Sequence, residues 1–432
     1  MDAKPATSLG VIRLLFIVCI AVTAAGVTWP AWDMFSAARR PMLQGWDDSF
    51  YYFWLPSVII DHDVDFENQL AQSNTIDPAT RDVALSLPRT KTGLVESKYP
   101  PGWAIGSLPF FLLAHVFTST SATGFEPVYL VSVWLGQLLY AVIGLWLAAK
   151  ILARYFPPVI AIPAVLAGWL TSPLVYYQTA RLSMSHSQVF TLAVVVFWTA
   201  LKIRDGETRP RYWMLLGFSA ALLVVTRNVA VVYLVFPTLV LLQKIRSAPP
   251  MAWLILGGAV PVLLQLLAWK LLYGSWIAYS YGGERFDFSE PHFLEILFSP
   301  LHGWFYWHPL TLFGITAFTA WAWKVEEGRA WLFSLLVIAI LSSAWPTWWL
   351  GSSFGYRGFE VATLFVMIGL AVLLEFVWHR RRPRRALFAV VGIAIFWNLA
   401  LLALFLTQRI PRERSVNYRQ MFEAFMDWIG GR

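Results

Sequence analysis

Apolar stretches long enough to cross a bilayer recur along almost all of this 432-residue chain, near 9–29, 127–149, 158–178, 187–203, 212–226, 228–243, 251–273, 303–323, 330–347, 358–378 and 386–407. A helix needs about 20 apolar residues to span the hydrocarbon core, and lipid tolerates only structures that satisfy their backbone hydrogen bonds internally. The pattern therefore specifies an all-α polytopic membrane protein with about 11 transmembrane helices. Charged residues are 13% of the sequence against 58% hydrophobic, too few to dress a water-soluble globule of this size. The net charge of +8 does not indicate nucleic acid, because the basic residues fall in short clusters between apolar segments and form no stripe.

Those clusters report topology. A further apolar segment, 103–117, is short and follows Pro100, Pro101 and Gly102. If it stays on one side of the membrane, then Lys150 and Arg154, Lys202 to Arg211, Lys244 and Arg246, Lys324 and Arg329, and the run Arg380 to Arg385 all share the side of Lys4. The positive-inside rule then puts the amino terminus in the cytoplasm and the carboxyl terminus outside, with 103–117 re-entrant or interfacial. At residues 9–29, Lys4 and Arg13 precede a hydrophobic stretch with Ala24, Ala25 and Gly26, as in a cleaved signal, but its length is that of a span and it is expected to remain as an anchor. The single Cys19 lies in this segment and excludes an internal disulfide.

This topology makes 1–407 one transmembrane domain, with a large first outer loop at 30–126 carrying juxtamembrane helices and a second at 274–302. The tail, 408–432, repeats Tyr418, Met421, Phe422, Phe425, Met426 and Ile429 at helical spacing beside Arg412, Arg414 and Arg419, an amphipathic helix suited to a membrane surface. The first outer loop holds 11 of the 25 acidic residues, so its carboxylates are the first candidates for chemistry. Asp47 and Asp48, in GWDDSFYYFW, stand at a water–lipid boundary beside Trp46, Phe50, Tyr51, Tyr52 and Trp54, where burial raises a carboxylate's affinity for a proton and suits it to general-base work. The same pair also suits the start of a helix. Asp61, Asp63 and Asp65, in DHDVDF, could converge on a divalent cation, but the segment lacks the glycine and distal glutamate of an EF-hand loop and reads better as a turn with side-chain caps.

Cations complete the outer set. Lys98, in SKYPPG, either anchors a phosphate or snorkels at the interface, with Tyr99 beside it. His186, in LSMSHS, stands where a span begins, in a position that also suits a structural histidine. Arg227 lies between two apolar stretches with no polar loop to solvate it, and Arg357 follows the glycines of WWLGSSFGYR. A planar guanidinium at such a place snorkels or meets an anion, and its fork matches a phosphate.

In order along the chain, GWDDSFYYF, DHDVDF, KYPPGWAIGSLPFFLLA, LSMSHS, TR at a hairpin, YGSWIAYSYGGERFDFSEPHFLEILFSPLHGWFYWHPL and WWLGSSFGYR resemble the bacterial membrane glycosyltransferases of the GT-C class. These are the polyprenyl-phosphate-sugar-dependent enzymes related to dolichyl-phosphate-mannose protein mannosyltransferases and aminoarabinose transferases, and the likeness runs from about residue 9 to 378. The resemblance implies an inverting transferase of the inner membrane, acting on its periplasmic face, that moves a sugar from a polyprenyl-phosphate donor to a glycolipid, polysaccharide or protein acceptor. It makes Asp47 and Asp48 the catalytic pair, and Lys98, Tyr99, His186, Arg227 and Arg357 the ligands of the donor phosphate. At the hairpin the chain departs from the family pattern, with TRN in place of Lys-Gly or Arg-Pro. A divalent metal stays open, with Asp61, Asp63 and Asp65 as its candidates. Two other classes compete. A flippase of lipid-linked sugars calls for inverted repeats or charges near the midplane, neither of which is evident. A lipid-linked glycan polymerase or ligase would use outer arginines without needing the aspartate pair.

Overall fold

The computed structural model describes residues 43, 45–72, 78–119, 121–244 and 249–431. The first apolar window, 9–29, with Cys19 and the beginning of the first outer loop, lies outside the described residues. Among the described residues the chain is all-helical, with no strand and one isolated bridge between Arg89 and Val95. The helices that matter here are α1 (Trp46–Pro56), α2 (Gly102–His115), α3 (Pro127–Leu152), α4 (Pro158–Leu170), α5 (His186–Arg204), α6 (Pro210–Thr226), α7 (Pro249–Tyr273), α8 (Pro309–Ala322), α9 (Glu326–Ser343), α10 (Ala362–Val377), α11 (Arg381–Leu406) and α12 (Tyr418–Ile429).

Four of these, α3, α5, α7 and α11, are long and apolar enough to cross a membrane. Other apolar windows coincide with shorter helices, α4, α6, α8 and α10 among them. Proline sets several of the boundaries: Pro158, Pro210 and Pro309 open α4, α6 and α8, where a missing N–H costs nothing. Along α7, Trp253, Leu256, Val260, Leu263, Leu267 and Leu271 are all exposed at intervals of three and four, an apolar stripe unsuited to water and suited to lipid. The chain is a multi-pass membrane protein. α2 has 14 residues, about 21 Å at 1.5 Å per residue and short of a core of about 30 Å.

The described chain divides into two compact units, 43–144 with 177–283 and 145–176 with 284–431. The first is built on α1, which is buried almost all round: Phe50, Tyr51, Tyr52, Phe53, Trp54 and Leu55 are each under a tenth exposed. Its aromatics hold the segment before α2 in place, Phe50 stacking on Tyr99 at 5.9 Å, Tyr51 meeting it edge-on at 5.1 Å, and Trp54 Nε1 donating to the Tyr99 carbonyl at 3.1 Å. The loop after α7 folds back on the same segment. Tyr273 donates to the Ser97 carbonyl at 2.7 Å and Ser280 to that of Lys98 at 3.2 Å.

In the second unit α10 is buried along most of its length and packs with α4 and α8. The loop before it is gripped by two histidines. Gly355, at φ +65°, lies over the His308 ring, where a Cβ would stand 2.1 Å from Nε2. The His302 ring is set between two carbonyls, with Nδ1 3.0 Å from the Trp349 oxygen and Nε2 2.9 Å from that of Arg412, and a neutral ring donates to one of them. The tail forms the helix its periodicity specifies, with a capping box between Asn417 and Gln420. Tyr418 stacks on Tyr306 at 4.3 Å, Phe425 meets Phe396 edge-on, and Phe422, Met426 and Ile429 are left exposed.

Candidate active site

Asp47 and Asp48 both lie in the first turn of α1, behind an extended N-cap at Gly45, so neither is the cap itself. Adjacent residues on a helix point about 100° apart, and here that divides their roles. Asp48 faces inward and is fully buried, its Oδ2 taking Arg181 Nη2 at 3.2 Å, Arg181 Nε at 3.3 Å and Ser183 Oγ at 3.2 Å. Gly45 admits the guanidinium, since a Cβ there would lie 2.8 Å from Arg181 Nη2. Nothing local in the sequence pairs Arg181 with Asp48, 133 positions away.

Asp47 is half-buried, and the Tyr99 hydroxyl donates to its Oδ1. Lys98 stands next to this pair with Nζ 5.8 Å from the Tyr99 ring centre and 5.9 Å from that of Tyr281, a cation held between two aromatic faces. The Tyr99 hydroxyl, expected at the donor phosphate, is thus engaged with the carboxylate.

At the end of α6 the backbone leaves the helix at Arg227 in an extended conformation. The guanidinium therefore projects where the helix dipole favours positive charge. Its Nη1 lies 3.2 Å from Nδ1 of buried His186. Because a guanidinium can only donate, Nδ1 is the accepting nitrogen and the imidazole proton sits on Nε2. The His186 ring also packs on Tyr177, with centres 4.3 Å apart.

Tyr51, which the sequence reading passed over as one aromatic among five, links the two groups. Burial pushes its phenol well above the usual range, the negative charge of Asp47 and then Tyr281 push it further, and the Ser185 hydrogen bond and the Arg227 charge pull it back. In space Tyr51 meets the Tyr99 ring edge-on at 5.1 Å and accepts from Ser185 Oγ at 3.3 Å, one residue before His186, and its phenol stays protonated at any physiological pH. Together these residues offer a carboxylate that can accept a proton, a neutral phenol, and three basic side chains suited to an anion.

Asp61, Asp63 and Asp65 follow the far end of α1 and serve local bonds: Asp61 takes Gln69 Nε2 at 2.5 Å, Asp63 takes Ser57 Oγ at 2.8 Å and the Asp65 N–H at 3.2 Å, and Asp65 takes the Glu67 N–H at 3.1 Å. Among the described residues no group of three His, Cys, Asp or Glu is arranged to hold a metal ion. Arg357 belongs to the other unit, in a single 3₁₀ turn before α10. There its charge acts on His302, whose imidazole is pushed below the usual range by burial first and by Arg357 in addition.

No protein-family model and no curated protein sequence matches the chain. Solved structures do. ArnT from Cupriavidus metallidurans in the apo state superposes with a TM-score of 0.56 at 14% identity, over 98% of this chain and 71% of that one. The same protein bound to undecaprenyl phosphate gives 0.51 at 13% identity, over 96% and 76%. The chain shares the GT-C fold of these aminoarabinose transferase structures, as the ordered motifs imply.

Proposed function

We propose that the chain is an inverting glycosyltransferase that moves a sugar from a polyprenyl-phosphate donor to a cell-envelope acceptor, a glycolipid, polysaccharide or protein, on the outer face of the cytoplasmic membrane. The observation that carries this reading is one chain of contacts, Asp47 bonded by Tyr99 beside Lys98, Tyr51 between Tyr99 and Ser185, and His186 next to Ser185 paired with Arg227, in a chain with the fold of ArnT. That ArnT has been seen with undecaprenyl phosphate supports the class of donor.

In the proposed reaction the acceptor hydroxyl gives its proton to Asp47 as its oxygen forms a bond to C1 of the sugar. The bond from C1 to the phosphate oxygen breaks, and polyprenyl phosphate leaves with the electron pair. Cations stabilise the charge that builds on the leaving oxygen, and Arg227 with Lys98 supplies it. Base and leaving group on opposite sides of C1 give direct displacement with inversion. Tyr51, held by Ser185, packs between the two halves, and Tyr99 orients the base. Arg357 is kept, from the sequence resemblance alone, as a separate proposed ligand of the donor phosphate. About 11 spans, an amino terminus inside and 30–126 outside belong to the same proposal.

The test is transfer from a radiolabelled undecaprenyl-phosphate sugar by the purified full-length chain in a bilayer. Wild type should release undecaprenyl phosphate in step with acceptor glycosylation, and Asp47→Asn should do neither while remaining inserted. Full turnover by Asp47→Asn would remove the proposed base and the mechanism with it.

A further inference from the structure

Gln188 is fully buried in the first turn of α5, two residues after His186. Its Nε2 donates to the Gly102 carbonyl at 2.9 Å and to Thr226 Oγ1 at 3.0 Å, and its Oε1 accepts from Gln137 Nε2 at 3.2 Å. Gly102 opens α2 three residues after Tyr99, and Thr226 closes α6 immediately before Arg227. One amide therefore ties together the three segments that carry Lys98 and Tyr99, His186, and Arg227.

The surrounding packing is built for that amide. A Cβ on Gly106 would come within 2.5 Å of Gln188 Oε1, and one on Gly102 within 2.3 Å of the Thr226 backbone nitrogen. The two glycines, four residues apart on one face of α2, let the helix close on the backbone of α6 and on the Gln188 side chain of α5, the small-residue device of helices packed in lipid. An amide buried among apolar helices is costly unless its donors and acceptor are used, and here all are.

We infer that Gln188 is a positioning residue for the anion site, setting the spacing of Lys98, His186 and Arg227 without touching substrate. The inference rests on the reading of those cations as donor-phosphate ligands. A role in folding alone predicts something different, because the partners keep other bonds. Thr226 Oγ1 donates to the Leu222 carbonyl at 2.7 Å and Gln137 Nε2 to Ser107 Oγ at 2.8 Å. Gln188→Leu thus cuts the tie while Thr226 Oγ1 and one N–H of Gln137 keep their other partners. Gln137→Leu is the matched control, since it removes a buried amide of the same network and leaves Gln188 bonded to Gly102 and Thr226.

Two measurements on the full-length protein test this: backbone hydrogen exchange at 101–105 and 226–230, and binding of undecaprenyl phosphate. In Gln188→Leu, exchange should quicken about tenfold or more in both segments, and undecaprenyl phosphate should bind about ten- to a hundredfold more weakly, the scale expected when groups move by about an ångström. Gln137→Leu should do neither, and in an Arg227→Ala background Gln188→Leu should weaken binding by less than about twofold, because residues acting as one unit do not add. Unchanged exchange in both segments overturns the inference whatever the wild type binds. So does a loss of binding that Gln137→Leu matches, or one that multiplies in full with Arg227→Ala. If exchange quickens as expected while the wild-type protein binds no undecaprenyl phosphate, the positioning role stands and the transferase reading falls.

Discussion

Arg181→Ala separates the two neighbouring carboxylates. In the wild-type chain Asp48 is wholly buried beside an aromatic core, and its Oδ2 receives two guanidinium contacts, at 3.2 and 3.3 Å, and one from Ser183 at 3.2 Å. Removing the guanidinium takes two of these three contacts, and their positive charge, from a buried carboxylate. Stripping one member from a buried ion pair costs about 3–5 kcal/mol, a large part of the roughly 5–15 kcal/mol that holds a domain together. Adding Asp48→Asn removes the stranded charge, so the double variant should be more stable than Arg181→Ala by about 2 kcal/mol, a strongly non-additive result. Asp47→Asn should leave the unfolding transition in place, because Asp47 is half-exposed and outside that pair. The assay pairs thermal unfolding of the purified protein, followed by tryptophan fluorescence, with transfer rate per folded molecule. The reasoning fails if Arg181→Ala unfolds within about 0.5 kcal/mol of wild type, the range of an ordinary surface change. It also fails if folded Asp48→Asn has lost transfer while Asp47→Asn retains it, which would make Asp48 the base.

Tyr99→Phe removes the hydrogen bond to Asp47 and should lower kcat about tenfold with the donor KM unchanged; a raised donor KM with kcat intact would return Tyr99 to the phosphate. Tyr51→Phe should slow transfer about tenfold without moving the basic limb of the pH profile. Its folded-state phenol is held above the usual value by burial and by Asp47, so it does not ionise in the assay range; loss of that limb in the variant would contradict this. For Arg227→Ala the loss of a charge-assisted contact of about 1.5–3 kcal/mol predicts a donor KM raised about ten- to a hundredfold, with partial rescue by lysine, and Arg357→Ala tested alongside answers for the other unit. Single cysteines at 285 and 382 in a Cys19→Ala background should label with an impermeant reagent only at 285 in intact cells; the reverse pattern would invert the topology.

Much of the helical architecture was legible because its determinants are local. Apolar periodicity and proline at first helical positions place most of the helices, and the repeat from Tyr418 to Ile429 gives α12. The lengths were harder: 158–178 and 358–378 each read as a continuous span, yet α4 ends at Leu170 and α10 begins at Ala362. Hydropathy cannot see that Thr171 breaks from helical backbone, or that Arg357 to Phe359 make a separate 3₁₀ turn.

Side-chain roles divide by the same criterion. DHDVDF behaves as its caps suggest, because Asp63 and Asp65 bond backbone N–H groups two residues on and need no distant partner. The aspartate pair could not be divided from sequence, since adjacent identical residues on one helix turn differ only in the direction they face. That direction acquires meaning from Arg181 and Ser183 on one side and Tyr99 on the other. Tyr51 was hidden for the opposite reason. Tyr51 meets Tyr99, the partner of Asp47, and accepts from Ser185, the neighbour of His186, while Tyr52, one residue on, spends its hydroxyl on the Gly124 carbonyl at 2.5 Å. A row of five aromatics reads as core from composition, and which of its hydroxyls stands between those two segments is set by helix phase, about 100° per residue, together with partners far away in sequence.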